Sequence, residues 1–396
     1  MSEFIRQHLI DPEICIRCYT CEETCPIDAI THNDDNVVVD ASICNYCMDC
    51  ISPCPTGSID HWRVVRTAWS LEEQYEWDDL PEQEEFAEDS ASELAEAFDD
   101  AANALIAEAH SGAGGRTPAP ISAAQASVNL FGRSSPGIGT VQGNYRVTEA
   151  ESESDVRHII IGLGQTSFPV LEGQTVGVAP PGVKADGKAN DIRLYSISSS
   201  RDGEKRNGNN ISLTVKRETQ GLCSNYLCDL VAGDQVELVG PFGNTFLMPN
   251  DPNANILMIC TGTGSAPFRG FTERRRRAMP GANGEFVLYF GARTPGELPY
   301  AKQLGKLPAT LLTQNLVYSR EENQAQEYVQ DRIQQHESFI QKMLMDENTH
   351  VFICGVKGME KGVDEALTEI CEHNSVDWQS QKASMRDAGR FHVETY

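Results

Sequence analysis

Eight cysteines constrain this chain more than any other feature. Cys15, Cys18, Cys21 and Cys25, followed by Pro26, form a C-x2-C-x2-C-x3-C-P run, and Cys44, Cys47, Cys50 and Cys54, followed by Pro55, repeat it at an offset of 29 residues. Three thiolates at successive two-residue gaps can wrap one face of a metal cluster. The fourth lies beyond a wider gap, before a helix-averse proline, and points the other way. Each run therefore serves two sites: Cys15, Cys18, Cys21 and Cys54 are expected around one [4Fe-4S] cube, and Cys44, Cys47, Cys50 and Cys25 around the other. The competing readings are zinc knuckles and a purely structural staple. Zinc wants four ligands in tetrahedral pairs, and this run puts the fourth in the wrong place. The opening MSEFIRQHLI is too short and too charged for an export signal, so a reducing compartment argues against disulfides. Ile14, Ile16, Ile27, Ile30, Ile43, Ile51 and Ile59 lie between and around the ligands and are expected to shield the sulfurs, which favours a low potential.

Charge divides the rest. The 396 residues carry 32 Lys+Arg against 58 Asp+Glu, a net charge of -26, which makes nucleic acid and anionic membranes poor partners. No stretch approaches the roughly 18 uninterrupted apolar residues of a membrane span, and the chain is expected to be cytoplasmic. Residues 67–110 hold 15 acids and no Lys or Arg. Within them Leu94, Phe98, Ala101 and Leu105 recur at helical spacing, and Ser90 with Glu93 has the form of a capping box. The stretch 111–120, SGAGGRTPAP, reads as a loose connector. Trp69, Trp77 and Phe86 punctuate the acidic segment, which reads as a spacer slightly more than as a docking element.

Four units follow: 1–66, a two-cluster domain; 67–140, an acidic helical segment and linker; 141–250, short β-runs between Gly, Pro, Asn and Asp turns, the pattern of an antiparallel barrel; and 251–396, where apolar strands, glycine loops and helices alternate as in a parallel α/β domain. The fold class is thus multidomain α+β.

Three constellations in the last two units have nucleotide chemistry. Arg193, Tyr195 and Ser196 in RLYS supply a guanidinium, a ring face and a hydroxyl. Gly221, Cys223 and Ser224 in GLCSN open a helix whose first amides could hold phosphates. Gly262, Thr263 and Gly264 follow a buried strand, although the loop departs from G-x-G-x-x-G. Each, taken singly, is equally a turn or a cap.

The N-terminal runs resemble bacterial two-cluster ferredoxins over about residues 4–62. From about Tyr145 to Tyr396 the order RLYS, GLCSNYLCDL, TGTGSAPFR, CGVKGMEKGVDEAL and terminal VETY resembles plant-type ferredoxin-NADP reductases. That resemblance implies FAD held by Arg193, Tyr195, Ser196, Lys216, Gly221, Cys223 and Ser224. It implies NADPH held by Gly262, Thr263, Gly264, Cys354 and Gly355, with Ser319, Arg320 and Tyr328 at the adenosine 2′-phosphate. The hydride-transfer site it implies is Ser196, Cys354 and Glu394, with Tyr396 stacked on the flavin until nicotinamide displaces it. The family's lysine just before the tyrosine is missing: Gln326 and Glu327 stand there, so the preference for NADPH over NADH is expected to be weaker. Cys228, Cys260 and Cys371 read as packed core. The run Arg274 to Arg277 reads as a solvated helix face ahead of a docking site for an acidic partner or the chain's own ferredoxin domain.

The assembly converts paired to single-electron chemistry. The order of parts, with the run IRQHLIDPEICIRCYTCEETCPIDAITH, resembles the reductase components of bacterial benzoyl-CoA 2,3-epoxidases. This implies a separate di-iron oxygenase as electron acceptor, in aerobic benzoate catabolism. Two other readings remain, a stand-alone ferredoxin-NADP reductase running toward NADPH and a non-catalytic electron carrier in a larger complex; a homodimer is left open.

Overall fold

The computed structural model describes residues 5–45, 49–51, 53–82, 104–105, 107–109, 117–164, 166, 168–184, 187–205, 208–321 and 324–396. Cys47, Ser90, Glu93, Leu94, Phe98, Ala101 and Phe86 lie outside the described residues. Leu105 is helical and 37% exposed.

The N-terminal domain pairs β1 (Ile5–Leu9) antiparallel with β4 (His61–Val65) and carries α1 (Thr20–Thr24) and the hairpin β2 (Ile30–His32) and β3 (Val37–Val39) between them. Its core joins Ile10, Ile30, Val37, Val39, Ile51, Ile59 and Trp62 to Cys21 and Cys50. The packed unit continues past residue 66. α2 (Leu71–Tyr75) starts with a capping box in which Ser70 and Glu73 each accept the other's backbone N–H, and its buried Gln74 exchanges hydrogen bonds with the Val39 backbone. Trp69 and Trp77 meet edge to face at 5.4 Å, and the side chain of Gln7 clasps the backbone of Trp69. These aromatics dock the start of the acidic segment onto the first domain.

The middle domain is a six-stranded antiparallel sheet: β5 (Gly137–Arg146), β6 (Val156–Gly162), β7 (Thr175–Val178), β8 (Arg193–Ser196), β9 (Asn210–Lys216) and β10 (Gln235–Phe242), ordered β8-β7-β10-β5-β6-β9. An antiparallel bridge from Ile197 to Leu213 and the bond from Ser198 N–H to the Ser212 carbonyl bring its two edges together, giving a barrel. β5 starts four residues before the expected boundary at 141 because its inward positions there are Gly137 and Gly139, which carry no apolar signal. α3 (Leu222–Asp229) packs Leu227 and Cys228 into the barrel core.

The C-terminal domain has β11 (Asn255–Thr261), α4 (Ser265–Ala278), β12 (Phe286–Ala292), α5 (Ala301–Leu304), β13 (Thr313–Tyr318), α6 (Val329–Gln335), α7 (Glu337–Met345), β14 (Thr349–Gly355), α8 (Lys357–His373), α9 (Trp378–Asp387) and β15 (Phe391–Thr395). All five strands are parallel in the order β13-β12-β11-β14-β15. The sequence of α8 accounts for its helix: Met359, Val363, Ala366, Leu367, Ile370 and Cys371 form one buried stripe at helical spacing. Strand order reverses between β11 and β14, and in open α/β sheets ligands bind at the carboxyl ends beside such a reversal. Those ends carry Gly262 to Gly264 and Gly355.

The arginine run does not form a solvated face. Arg274 and Arg275 are buried; Arg275 lies over the Phe286 ring and Arg277 donates to the Gly203 and Glu204 carbonyls, leaving Arg276 exposed. Arg274 reaches Asp60 of the first domain. Removing one partner of a buried ion pair costs about 3–5 kcal/mol because the other charge is left uncompensated, so the seam between the domains depends on both being present.

Candidate functional site

Two cavities in the first domain gather the cysteines in crossed sets. Cys15, Cys18, Cys21 and Cys54 line one, with Ile16, Tyr19, Val37, Thr56 and Ser58. Cys25, Cys44 and Cys50 line the other, with His8, Ile30, Val39 and Asn45. Cys21 sits within α1 and Cys25 caps its end in an extended conformation, ahead of Pro26, so the two thiols reach different sites. None of these seven thiols is joined in a disulfide. The Cys21 thiol is pushed up to about 12 by burial and by the charges of Cys54, Cys15 and Cys18. Ionising such a set needs positive charge at its centre, which an iron-sulfur cluster supplies. Among the described residues, no group of three or more His, Cys, Asp or Glu is arranged to hold a lone metal ion. Burial works against ionisation of Cys54, yet the Ser58 hydroxyl and the amides of Ile59 and Thr56 hold its thiol below the usual range. Thr20 donates to Cys18 at 3.4 Å and Ala29 N–H to Cys25 at 3.3 Å.

The isoleucine shield is one-sided. Ile30, Ile51 and Ile59 are buried and Ile27 is half-buried, but Ile14, Ile16 and Ile43 are 42%, 62% and 47% exposed, and Cys18 is exposed too. The first two isoleucines flank Cys15 in an irregular stretch, where no strand or helix period dictates which way they face.

In the barrel, β8 presents Arg193 in the open and sets Tyr195 and Ser196 opposite Val176 and Thr175. Burial and the neighbouring Cys223 thiol push the Tyr195 phenol up. Gly221 caps α3, as expected. Cys223 turns its thiol to the Val178 carbonyl at 3.4 Å, and the Ser224 hydroxyl accepts from Glu218 N–H while donating to the Gly221 carbonyl. Both side chains are thus engaged in shaping the turn, and the first amides of α3, which a helix leaves unpartnered, are what they offer a phosphate.

A cleft of about 710 Å³ opens where barrel and parallel sheet meet; Lys216, Gly262, Thr263, Ser319, Tyr328 and Tyr396 line it. Tyr396 hydrogen-bonds Thr263 through its hydroxyl at 2.6 Å and donates its N–H to the Gly355 carbonyl, while the residue as a whole is 61% exposed. It is thus tied both at its hydroxyl and at its backbone. Gly264 is required here: a Cβ would sit 2.2 Å from the Cys354 carbonyl oxygen. The buried Thr261 hydroxyl, also at the cleft, has no hydrogen-bond partner, as expected of a group that a ligand satisfies.

Cys354 and Glu394 are cross-strand neighbours, with Cys260 on the other side of Cys354. Burial raises the Glu394 carboxyl to about 8, and burial with the Glu394 charge raises the Cys354 thiol well above its ordinary value. Neither residue, nor Ser196, is among those that line the cleft; they lie on β14, β15 and β8. Arg320 is exposed beside Ser319, outside the lining. Gln326 donates to the Tyr328 hydroxyl at 2.5 Å, and both Glu327 oxygens pair with Arg332 at 2.6 Å. The acid in place of the family's lysine is therefore neutralised. Arg293 also lines the cleft, and nothing in the sequence marked it beyond its GART stretch, which ends β12 as TGTG ends β11. Cys228, Cys260 and Cys371 are buried core.

The fold and its sites define an oxidoreductase with flavin, nicotinamide and iron-sulfur centres. Residues 7–69 match the family model for a 4Fe-4S dicluster domain, 147–246 an oxidoreductase FAD-binding domain and 258–365 an oxidoreductase NAD-binding domain. The chain is 38% identical over 289 residues to a ferredoxin–NADP reductase of Thermosynechococcus vestitus, covering 68% of this chain and 75% of that one. It is 38% identical over 287 residues to the cyanelle enzyme of Cyanophora paradoxa, covering 68% and 79%. Ferredoxin-NADP+ reductase from Plasmodium falciparum, solved with 2'P-AMP, superimposes with a TM-score of 0.54 at 25% identity over 68% of this chain and 99% of that one. The chain belongs to the ferredoxin–NADP reductase family, with an added 4Fe-4S domain; its cofactors are FAD, NADPH and iron-sulfur. Among the described residues no helix is long and apolar enough to cross a membrane.

Proposed function

We propose that this chain is the NADPH-dependent reductase component of an oxygenase system, passing electrons from FAD through two [4Fe-4S] clusters to a separate di-iron subunit that epoxidises benzoyl-CoA in aerobic benzoate degradation. The observation that carries the electron route is the placement of the Cys15, Cys18, Cys21 and Cys54 cavity against the reductase module: an added Cβ at Gly57, three residues past Cys54, would lie 3.5 Å from the Asn250 Cβ. The benzoyl-CoA acceptor is supported by the resemblance of the N-terminal run and the order of domains.

Bound FAD supplies the exchange between a hydride pair and single electrons. Arg193, with the first amides of α3 at Gly221, Cys223 and Ser224, would hold its pyrophosphate. Tyr195 and Ser196 would serve its ring, and Lys216 lines the cleft. Gly262, Thr263 and Gly264, with Gly355 opposite, would take the nicotinamide nucleotide's phosphates, and Ser319, Arg320 and Tyr328 the 2′-phosphate. Tyr396 would stack on the flavin and exclude water until nicotinamide displaced it. Glu394 carries a proton on its carboxyl near neutrality, beside Cys354.

Two variants test the nucleotide assignments. Tyr396→Ser should tighten binding of both nicotinamides by roughly 2- to 10-fold, the range of an aromatic stacking contact, and raise NADH use; an unchanged cofactor preference removes the stacking role. Arg320→Ala should raise KM for NADPH by about tenfold, a charged hydrogen bond's worth at an exposed position, with NADH unaffected; equal losses for both take Arg320 away from the 2′-phosphate.

The deciding experiment reconstitutes the loaded chain with candidate di-iron subunits and benzoyl-CoA and scores O2 uptake against NADPH. Coupled uptake that requires the thioester is expected. Rapid NADPH–ferricyanide turnover without any such coupling would favour the second reading, suggested by the names of the relatives, in which the chain works toward NADPH. Cluster potentials far below the nicotinamide couple would accompany that result.

A further inference from the structure

Between the three domains lies a group of four buried charges. The Asp60 carboxylate, fully buried, belongs to the first domain. Its Oδ2 accepts from Arg201 at 2.7 Å and from Arg274, and its Oδ1 accepts from the Trp62 indole at 3.3 Å. Arg201 follows β8 in the barrel, five residues beyond Ser196. It is held in turn by Glu172, whose carboxylate takes its Nη2 at 2.7 Å, its Nε at 3.0 Å and its backbone N–H at 2.6 Å. Arg274 stands on α4, the helix that leaves the Gly262–Gly264 loop. Burial lowers Arg274 to about 10, so it stays charged at neutral pH.

Two carboxylates and two guanidinium groups balance, each 6% exposed or less. Such a group differs from the exposed pairs that steer transient partners, because solvent ions screen it far less. Ala278, at the end of α4, packs against the first domain's core, and the Cys54 loop meets Asn250. Asp60 lies six positions beyond Cys54, and Thr56 and Ser58 between them line the first cysteine cavity, so the carboxylate anchors the segment that carries one wall of it.

We propose that Asp60 is a positioning residue for internal electron transfer. By seating on Arg201 and Arg274 together, it keeps the cavity of Cys15, Cys18, Cys21 and Cys54 at a fixed separation from the strand end that borders the flavin. The cluster-bearing domain then accepts electrons without leaving its seat. The proposal rests on the reading that flavin and clusters exchange electrons within one chain. Each crossing moves one electron: the flavin is oxidised, the cluster is reduced, no bond of the protein changes, and the pair comes from NADPH.

The test compares the full-length, cofactor-loaded chain with Asp60→Asn. NADPH–ferricyanide turnover, which needs only the flavin, should be unchanged. Bleaching of the clusters after rapid mixing with NADPH should slow by about 10²-fold, the penalty of a misplaced donor and acceptor, and hydrogen exchange across 54–62 and 272–278 should rise. Bleaching at the wild-type rate, with exchange increased, would overturn the proposal. The wild type supplies a second measurement should the variant fail to load its clusters. Its bleaching rate should be indifferent to sucrose viscosity and to about 0.5 M KCl, since buried pairs escape screening, and a rate falling in proportion to viscosity would show a domain that must swing. Clusters that NADPH never bleaches in the wild type would sink internal transfer itself; an unchanged rate in the variant sinks the positioning role alone.

Discussion

Replacing Cys25 by alanine should strip the cluster from the cavity of Cys44 and Cys50 while leaving Cys15, Cys18, Cys21 and Cys54 loaded. Sequence proximity suggests the opposite, because Cys25 is four residues from Cys21 and 19 from Cys44. The fold decides otherwise: α1 and Pro26 carry the Cys25 thiol into the second cavity, where Ala29 N–H meets its sulfur. On the proposed loading of two cubes, anaerobically purified Cys25→Ala should lose about half the iron of the wild type with matching acid-labile sulfide, the content of one cube. Adding Cys44→Ala should cost no more iron, because both changes strike one site; adding Cys54→Ala should remove the rest. Iron lost from the Cys15 side in the single variant would overturn the crossed arrangement. A domain this small buries little core and leans on its metal for stability, so thermal melting of the first domain should also move down.

What could be read in advance follows from where each signal resides. The crossed cysteine sets depend on spacing and a proline, both local, and the two cavities gather seven of the eight cysteines that way, Cys47 lying outside the described residues. Strands β11, β12 and β14 declare themselves as apolar runs ending in glycine, since a parallel strand buried on both faces has no polar alternation to hide it. The barrel's start at β5 was less visible, because inward glycines look like loop. Least visible was the seam between the domains. Asp60, Glu172, Arg201 and Arg274 are ordinary surface residues on composition, and only packing brings them within reach of one another. A run of four arginines on α4 averages to a wet helix face; the structure instead divides it among Asp60, the Phe286 ring, solvent and the Gly203 loop. The side chains of Cys223 and Ser224 illustrate the same limit at smaller scale. Their motif marks the right turn, while the hydrogen bonds they make go to the protein's own backbone.

Glu394→Gln should lower kcat for NADPH–ferricyanide turnover by about 10²-fold, the usual contribution of a positioned proton donor, and should alter the pH profile. Burial lifts the wild-type carboxyl to about 8. It is therefore protonated at neutral pH and loses its proton as pH rises past 8, so activity that depends on the protonated form should fall there along a single ionisation. Glutamine is neutral at every pH and cannot ionise, so the falling limb should vanish with the rate. The stability sign runs the other way from a paired carboxylate. Unfolded, the group ionises near 4.5; folded, it holds its proton up to about 8, so the native state binds the extra proton between those values and wild-type stability declines as pH climbs through that window. The glutamine variant escapes this cost and should melt higher at pH 8 than the wild type, by as much as about 4–5 kcal/mol in the limit of full burial, with the difference shrinking toward pH 4.5. A wild-type profile flat from pH 6.5 to 9.5, or a variant that keeps the same falling limb, would place the titrating group elsewhere. A melting difference that grows toward low pH would show that Glu394 is ionised in the fold.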